Sequence, residues 1–377
     1  MKKNEQLNHL IKVGLKGDKI AFARQAAKLA REYDALGMSD LANDIRNSIQ
    51  EKETFHLQKV SQAMSNSLEQ LPLLPIDQET KFDLADIILP DIKKEKPLLK
   101  DDTLSKIQEF ILFITKAKEL KNAGLGVTSS MILFGPPGCG KTMAVNYIAS
   151  ALNLPLITAR CDALVSSYLG STSKNIRQLF DFSSQKPCVL FLDELDALAK
   201  ARDDKHELGE LKRVVVSLLQ NIDNLPEETI LIAASNHENL LDSAVWRRFE
   251  YRIPIELPDM KVRKNLFEKY DLIKNFFETF TTDLALMSSG LSCSFINQCC
   301  IRAIRHAFIY NDNHLNARFL IESILEAKGS SFNTEEEKLI HIVTTLRETD
   351  SKKFTIRRIA KILELSAAKV SRLIKSH

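Results

Sequence analysis

Gly135-Pro-Pro-Gly-Cys-Gly-Lys141-Thr142 is the stretch of sequence that decides the fold. It matches the pattern G-x-x-x-x-G-K-[ST], follows the apolar run Met131 to Phe134 and precedes a helical pattern from Met143 to Leu152. Glycine lets backbone N–H groups turn toward phosphate oxygens without a clash at Cβ, and the N-terminus of the next helix adds partial positive charge. The stretch therefore predicts a phosphate-binding loop between a strand and a helix.

The residues expected to contact a nucleotide are those of the loop, the residue after it and one acid further along the chain: Gly135, Pro136, Pro137, Gly138, Cys139, Gly140, Lys141, Thr142, Met143 and Asp193. Among them, Lys141 is expected to reach the β- and γ-phosphates, while Thr142 and Asp193 hold Mg²⁺. The alternative is a chance glycine-rich turn, and on the order of one random chain in a hundred of this length would contain the pattern. The flanking strand and helix favour the nucleotide site.

Cys188-Val-Leu-Phe-Leu192-Asp193-Glu194 supplies a second motif. Its apolar run suits a central strand buried on both faces, which places the two acids at the carboxyl end, where open parallel sheets bind ligands. Asp193 is expected to act on Mg²⁺ through water, and Glu194 to orient and polarise the attacking water as a catalytic residue. Acidic pairs also cap helices, which is the alternative for this pair.

Short apolar runs alternate with longer amphipathic segments after residue 130, which is typical of strand–helix units around a parallel sheet. Five strands are predicted, at Met131 to Phe134, Leu156 to Thr158, Val189 to Leu192, Ile230 to Ala234 and Tyr251 to Ile255. Only helical patterns continue after Pro258. The predicted fold class is α/β: the parallel sheet of P-loop nucleoside triphosphatases flanked by helices, then a helical subdomain, with small all-helical segments at both ends of the chain.

At these motifs the sequence resembles the AAA ATPases, over about residues 100 to 330. Ser235-Asn236 follows the predicted strand Ile230 to Ala234 and looks like the family's first sensor, so Asn236 is expected to lie between Glu194 and the γ-phosphate. The resemblance implies ATP and Mg²⁺ as ligands, ATP hydrolysis as the reaction, and a C-terminal helical lid subdomain.

Arg247 and Arg248 occur in Leu241-Asp-Ser-Ala-Val-Trp-Arg-Arg-Phe-Glu250, which is similar to the katanin and spastin branch of the family. In that branch paired arginines project into the neighbouring subunit's ATP site. The resemblance therefore implies two further catalytic residues and a homo-oligomer, expected to be a hexamer. Without this context, two adjacent arginines would indicate a solvated surface patch.

Tyr168 and Leu169 lie in Ser167-Tyr-Leu-Gly170, which resembles the first pore loop of the family. In members that translocate polypeptide, an aromatic residue at this place grips the chain in a central channel. An exposed loop aromatic or a packing residue is the alternative for Tyr168. Two departures from the family pattern, Ser171 and Phe295 at positions that are usually acidic, mark a divergent member and leave the substrate open.

Changes in composition predict five segments. They are a helical, adaptor-like N-terminal domain, a linker, the large α/β ATPase subdomain, the lid subdomain and a helical tail, at residues 1–60, 61–99, 100–257, 258–330 and 331–377. Four prolines between residues 72 and 97 carry the linker assignment. A structural cap is the alternative for the N-terminal segment.

The tail contains TIRRIAKILELSAAKVSRLIK at residues 355–375, which has the look of a helix-turn-helix with a first helix ending near Leu363 and a second beginning at Ala367. Residues 351–377 hold eight Lys or Arg against one acid, a local excess that favours phosphate contacts. Glu364 replaces the glycine often found in the turn of such motifs. DNA contact and contact with protein, including ring assembly, are both kept as hypotheses.

Composition limits the remaining classes. A net charge of +3 leaves nucleic-acid binding to local patches, and the six cysteines lack the spacings of a zinc site. No apolar run approaches the roughly 18 residues of a membrane span, and the N-terminus lacks the features of a secretory signal, so no membrane partner and a cytoplasmic location are expected.

The leading functional hypothesis is an oligomeric ATPase that threads or remodels protein substrates. A separate protease is a candidate partner, because the chain contains neither HExxH nor GxSxG. The alternatives are a DNA-associated ATPase that uses the tail and a scaffold switched by nucleotide.

Overall fold

The computed structural model describes residues 74–77, 81–91, 96–126, 129–164, 169–199, 208–276, 280–310, 314–330 and 334–375. The chain divides into two units, Met1–Leu73 and Leu74–His377, and every described residue belongs to the second. The predicted N-terminal domain at 1–60 lies outside the described residues.

A six-stranded sheet organises the α/β part, with strand order β1-β3-β4-β5-β2-β6. The strands are β1 Ala85–Ile88, β2 Ser130–Phe134, β3 Leu156–Ala159, β4 Cys188–Leu192, β5 Thr229–Ser235 and β6 Tyr251–Pro254. The pair β1–β3 is antiparallel and the other neighbouring pairs are parallel. Strands β4 and β5 are buried along their whole length, as expected for inner strands covered on both faces. The predicted class of fold is confirmed.

Strand β1 corrects the predicted linker, because it lies within residues 61–99 and pairs with β3 through Ala85↔Ala159 and Ile88↔Leu156. Its burial alternates along the strand, so only Ala85 and Ile87 face the core. The strand has only four residues, and the nearby prolines point to irregular structure.

Helices flank the sheet at α1 Asp101–Thr115, α2 Ala117–Asn122, α3 Lys141–Ala151, α4 Cys161–Leu164, α5 Leu169–Ser183, α6 Leu195–Ala199, α7 Leu208–Asp223 and α8 Ser243–Trp246, with a 3₁₀ turn at Glu238–Leu240. Ile107 and Phe110 of α1 pack with Val145 and Ile148 of α3 and with inward residues of the strands. This packing fixes α3, and therefore the loop before it, against the sheet.

The helical part after β6 consists of α9 Met260–Glu268, α10 Asp271–Lys274, α11 Phe280–Met287, α12 Cys293–Tyr310, α13 Ala317–Ala327, α14 Glu335–Thr349, α15 Ile356–Ile362 and α16 Ala367–Lys375. Leu284 of the predicted lid and Ile342 and Val370 of the predicted tail belong to one hydrophobic core. The two segments therefore fold against each other. None of the helices that the structure describes is long and apolar enough to cross a membrane.

Candidate functional site

The loop between β2 and α3 is held by close backbone contacts at Gly135. Its φ is +137°, and its N–H donates to the carbonyl oxygen of Ser235 at 3.2 Å. A Cβ at Gly135 would lie 2.2 Å from the carbonyl oxygen of Ile255, which is too short for any side chain. Gly140, with φ +102°, makes the turn into α3. Both positions require glycine for a physical reason, namely backbone conformation and, at Gly135, space.

Lys141 begins α3 and is buried, with its side chain folded under the loop. Its Nζ donates to the carbonyl oxygens of Gly135 at 2.6 Å and Pro136 at 2.9 Å. Burial lowers the pKa of Lys141, while Cys139 and Asp193 nearby oppose this shift. The loop therefore carries a fixed amine at the place where the sequence predicts phosphate contact.

Thr142 and Asp193 come together across 51 positions of sequence, since Thr142 Oγ1 donates to Asp193 Oδ2 at 3.1 Å. A hydroxyl and a carboxylate are hard oxygen ligands of the kind that Mg²⁺ prefers. Within the described ranges no three His, Cys, Asp or Glu side chains converge as a metal cluster. A Mg²⁺ ion here would fill its remaining positions with water and phosphate oxygens, as is usual for this ion.

Glu194 is exposed and has a left-handed backbone, with φ +51°, immediately after β4. Its N–H donates to Oδ1 of Asp193 at 2.9 Å, so Asp193 uses one carboxylate oxygen on the backbone and the other on Thr142. A non-glycine residue in this conformation costs of order 1–3 kcal/mol, and such strain clusters at functional sites. The turn directs the Glu194 carboxylate away from the strand, where it is open to solvent.

Asp196 is a site residue that sequence analysis missed. Its Oδ1 accepts from Ser235 Oγ at 2.8 Å and from the N–H of Asn236 at 3.2 Å. Ser235 Oγ in turn accepts from the N–H of His237 at 3.1 Å. Asp196 thus ties α6, directly after Glu194, to the end of β5 that carries Asn236. Its spacing of three from Asp193 was the available signal, but many helical acids share it.

The lid touches the phosphate loop at Gly138. The N–H of Ser294 donates to the carbonyl oxygen of Gly138 at 2.9 Å, and a Cβ on Gly138 would lie 2.8 Å from Cβ of Ser294. Cys139 beside it is 1% exposed, and burial raises the pKa of its thiol. The small residues at 292–294 therefore let the first turn of α12 approach the loop closely. Met143, in contrast, is 60% exposed on α3.

A narrow cleft opens beside the loop, between the start of α1, the loop itself and the lid. It is lined by Leu98, Leu99, Lys100, Thr103, Cys139, Ile255, Glu256, Pro258, Val262 and Cys293. Most of these side chains are apolar, and Lys100 forms an ion pair with Glu256 at the surface. With a volume of about 10 Å³, the cleft has room for about one water molecule and does not hold a base in this conformation.

Arg247 and Arg248 have different surroundings. Arg248 donates through Nε and Nη2 to both carboxylate oxygens of Asp223, each at 2.8 Å, and its carbonyl oxygen accepts from Ser130 Oγ at 2.9 Å. The ion pair raises the pKa of Arg248 and lowers the pKa of Asp223. Arg247 is exposed, and its side chain has no hydrogen bond or ion pair to the residues that the structure describes. The sequence did not distinguish the two.

The predicted pore residues are placed only in part. Tyr168 lies outside the described residues, and Leu169 begins α5 without a described side chain. The pore assignment therefore stays a prediction.

The sequence of this chain is similar to a known protein family and to several known proteins. Residues 131–257 match the model of the ATPase family associated with various cellular activities (AAA). The chain is 38% identical over 248 residues to an uncharacterized AAA family ATPase of Sinorhizobium fredii. The aligned region covers 66% of this chain and 74% of that protein. It is 27% identical over 300 residues to the proteasome-activating nucleotidase of Methanococcus vannielii, and this region covers 78% of this chain and 69% of that protein. It is 29% identical over 248 residues to the ATP-dependent zinc metalloprotease FtsH of Parabacteroides distasonis, and this region covers 62% of this chain and 36% of that protein.

The region matched by the family model contains the phosphate loop, the pair Asp193 and Glu194, and both arginines. These three relatives carry no katanin or spastin name, so the predicted branch stays a prediction. The chain is an ATPase, and it belongs to the AAA family.

Proposed function

We propose that this ATPase works as a homo-oligomer, expected to be a hexamer, that uses ATP and Mg²⁺ to thread or remodel protein substrates. The oligomer is needed because each ATP site takes an arginine from the neighbouring subunit. Threading would pass the substrate over Tyr168 and Leu169 in a central pore.

The single observation that carries the shared site is the exposed Arg247, whose side chain has no partner among the described residues. The segment that contains it runs along β2: the Trp246 ring lies 5.1 Å from the ring of Phe134, next to the phosphate loop, and the carbonyl oxygen of Arg248 accepts from Ser130 Oγ at the opposite end of the strand. Four residue steps along β2 span about 13 Å. Arg248 is held at this far edge by Asp223, and exposed Arg247 is the group left to act on another molecule.

Within one site, this chain's residues divide the work. The loop amides and Lys141 would bind phosphate oxygens, and Thr142 with Asp193 would hold Mg²⁺, which supplies charge stabilisation at the phosphates. Glu194 would orient and polarise the attacking water, and Asn236, anchored through Asp196, would lie beside it.

The names of two relatives support the choice of protein substrates, since one is called a proteasome-activating nucleotidase and another an ATP-dependent protease. The chain spans only 36% of the FtsH relative, so that protein's whole activity is not carried over. We propose a separate protease as a candidate partner. The proposed location is the cytoplasm. The proposed segments keep the boundaries predicted above, except that the linker is shortened by β1. The katanin and spastin branch remains the proposed placement within the family.

The test uses the full chain with Glu194→Gln, which is expected to bind ATP and hydrolyse it slowly. Mass photometry with and without ATP and Mg²⁺ should show an ATP-dependent ring of about six subunits, and proteins that co-purify with the trapped ring would be candidate substrates. A protein that stays monomeric with ATP would contradict the oligomer.

Threading has a separate test in Tyr168→Ala. This variant is expected to hydrolyse ATP at the unchanged rate but to fail in processing a recovered substrate. Tyr168→Phe, which keeps the ring, is the matched control and should process normally. If Tyr168→Ala processes substrate normally, Tyr168 does not grip the substrate and its assignment to the pore is wrong.

A further inference from the structure

The last three helices, α14, α15 and α16, form a unit outside the ATP site. Helix α16 packs on α14 and α15, and the α15–α16 turn is only residues 363–366. Glu364 in that turn has φ +53°, the left-handed conformation that glycine adopts easily. The predicted helix ends at Leu363 and Ala367 are confirmed. A three-helix unit with a tight turn before the last helix is the arrangement of helix-turn-helix domains.

Helix α16 has one buried and one solvent face. Val370 and Leu373 pack into the shared core. Ala368, Arg372 and Lys375 lie on the opposite side of the helix, with Lys369 beside them, and all four are exposed. A small residue and basic side chains on the outer face allow close approach to a negatively charged surface.

Two basic residues of the tail are not part of this surface. Asp283 of α11 is 1% exposed, and it bonds Arg358 through Nε at 3.2 Å and through Nη2. Lys353 Nζ lies 3.6 Å from the other oxygen of the same carboxylate. These two cations neutralise a buried acid and attach the tail to the lid.

The other six basic residues between 352 and 375 are all exposed, and a single acid, Glu364, lies among them: Lys352, Arg357, Lys361, Lys369, Arg372 and Lys375. The charge excess is thus kept on the outer surface after the buried pairs are subtracted. Such a local excess of exposed cations favours binding to a polyanion.

The same surface lacks the exposed apolar and aromatic side chains that usually form the centre of a protein interface. Among residues 334–375 no large hydrophobic side chain is exposed, whereas α12 of the lid exposes Phe308, Ile309 and Tyr310. Stable protein interfaces are centred on buried aromatic, aliphatic or arginine anchors, and they are depleted in Lys at their core. A surface of Lys, Arg, Ser and Ala fits phosphates better than it fits an assembly contact.

We infer that residues 352–375 bind duplex DNA, with α16 as the helix that enters the major groove and the surrounding cations on the phosphates. This binding is independent of the proposed threading activity. Because Asp283 attaches the unit to the lid, bound DNA would be held rigidly to the ATPase.

The experiment uses the full chain and a fluorescein-labelled 20-bp duplex, with fluorescence anisotropy from 50 to 300 mM KCl. If about five phosphates are contacted, the logarithm of the association constant should fall with a slope of about −4.5 against the logarithm of salt concentration. Lys369→Gln with Arg372→Gln should weaken binding at least about tenfold at low salt and reduce the slope by about 2. Glu364→Lys, which adds a cation, should tighten binding and steepen the slope by about 1.

The matched control is Lys118→Gln with Arg305→Gln, which removes the same charge from exposed helical positions elsewhere. It should bind like the unchanged protein. The inference is overturned if the two double variants behave alike, if no duplex binding is seen at 50 mM KCl, or if single-stranded DNA binds as tightly as duplex. It is also overturned if the Lys369 and Arg372 changes abolish capture of a protein partner and leave duplex affinity unchanged.

Discussion

The two ends of the parallel strands carry the two groups of residues that are proposed to share an ATP site, and they are built differently. At the carboxyl end, backbone contacts with no spare room hold Gly135, and Asp193 has both oxygens engaged within the chain. At the amino end, Arg248 is held by a partly exposed ion pair with Asp223, and Arg247 projects into solvent.

This difference agrees with the proposal that the arginine half of the ATP site acts on another subunit. The carboxyl end is organised to receive a ligand without further parts from elsewhere. The amino end is braced, yet it presents a cation with nothing in the described chain to pair with. Substitutions at the phosphate-loop end and at the arginine end should therefore have different effects.

Removal of the exposed cation is expected to have the largest effect on turnover. Arg247→Ala should lower ATP hydrolysis by about 10³-fold or more, as loss of an arginine finger does, and leave ATP affinity nearly unchanged. Steady-state hydrolysis and equilibrium nucleotide binding measure the two quantities. Arg305→Ala, at an exposed lid position, is the control and should hydrolyse normally. Near-normal turnover by Arg247→Ala would remove this residue from the site.

At the carboxyl end, Glu194→Gln should lower hydrolysis by roughly 10²- to 10⁴-fold, because the amide cannot accept a proton from water. ATP should still bind, since the loop is untouched. Single-turnover hydrolysis and a fluorescent ATP analogue measure chemistry and binding separately. Glu238→Gln changes another acid of the same part of the fold and should have no such effect. Unchanged single-turnover rates would contradict the role of Glu194.

The close fit at the loop predicts an effect on stability. Gly135→Ala should lower the free energy of unfolding by about 2–4 kcal/mol, because its Cβ meets the carbonyl of Ile255 in a disallowed backbone conformation. Gly126→Ala is the matched control, with nothing within 4 Å of its Cβ. Thermal unfolding should show a Tm roughly 5–10 °C lower for the first variant alone. Equal Tm values would mean that the loop is not closely packed.

The brace at the amino end should contribute little to stability. Asp223→Asn is expected to lower Tm by at most about 2 °C, because both partners are partly exposed. Arg248 lowers the pKa of Asp223, so the ion pair stabilises the fold above the ordinary pKa of an aspartate and ceases to do so as the pH falls through the lowered pKa. The Tm difference should therefore vanish in acid. A difference that grows in acid would contradict the ion pair.

Much of the carboxyl end could be predicted from sequence because its signals are local. The loop, the strand and the acids follow each other within short stretches, and the five predicted strands lie within two residues of those observed.

The amino end could not be predicted because its contacts join distant residues. Asp223 and Arg248 are 25 positions apart, Ser130 and Arg248 are 118 apart, and neither spacing has a pattern. Asp283 and Arg358, which join lid and tail, are 75 apart. Edge strand β1 was missed for another reason: it has only four residues, and the prolines around it indicated irregular structure.

Mixing two inactive variants tests the shared site most directly. Subunits with Arg247→Ala keep Glu194, and subunits with Glu194→Gln keep Arg247, so an active site can form where one adjoins the other. Hydrolysis should rise from near zero in either pure sample to as much as about a quarter of the normal rate at equal mixing, if subunits assort at random. Mass photometry on size-tagged subunits would establish that mixed oligomers form. Hydrolysis that stays near zero at every ratio in such mixed oligomers would contradict the shared site.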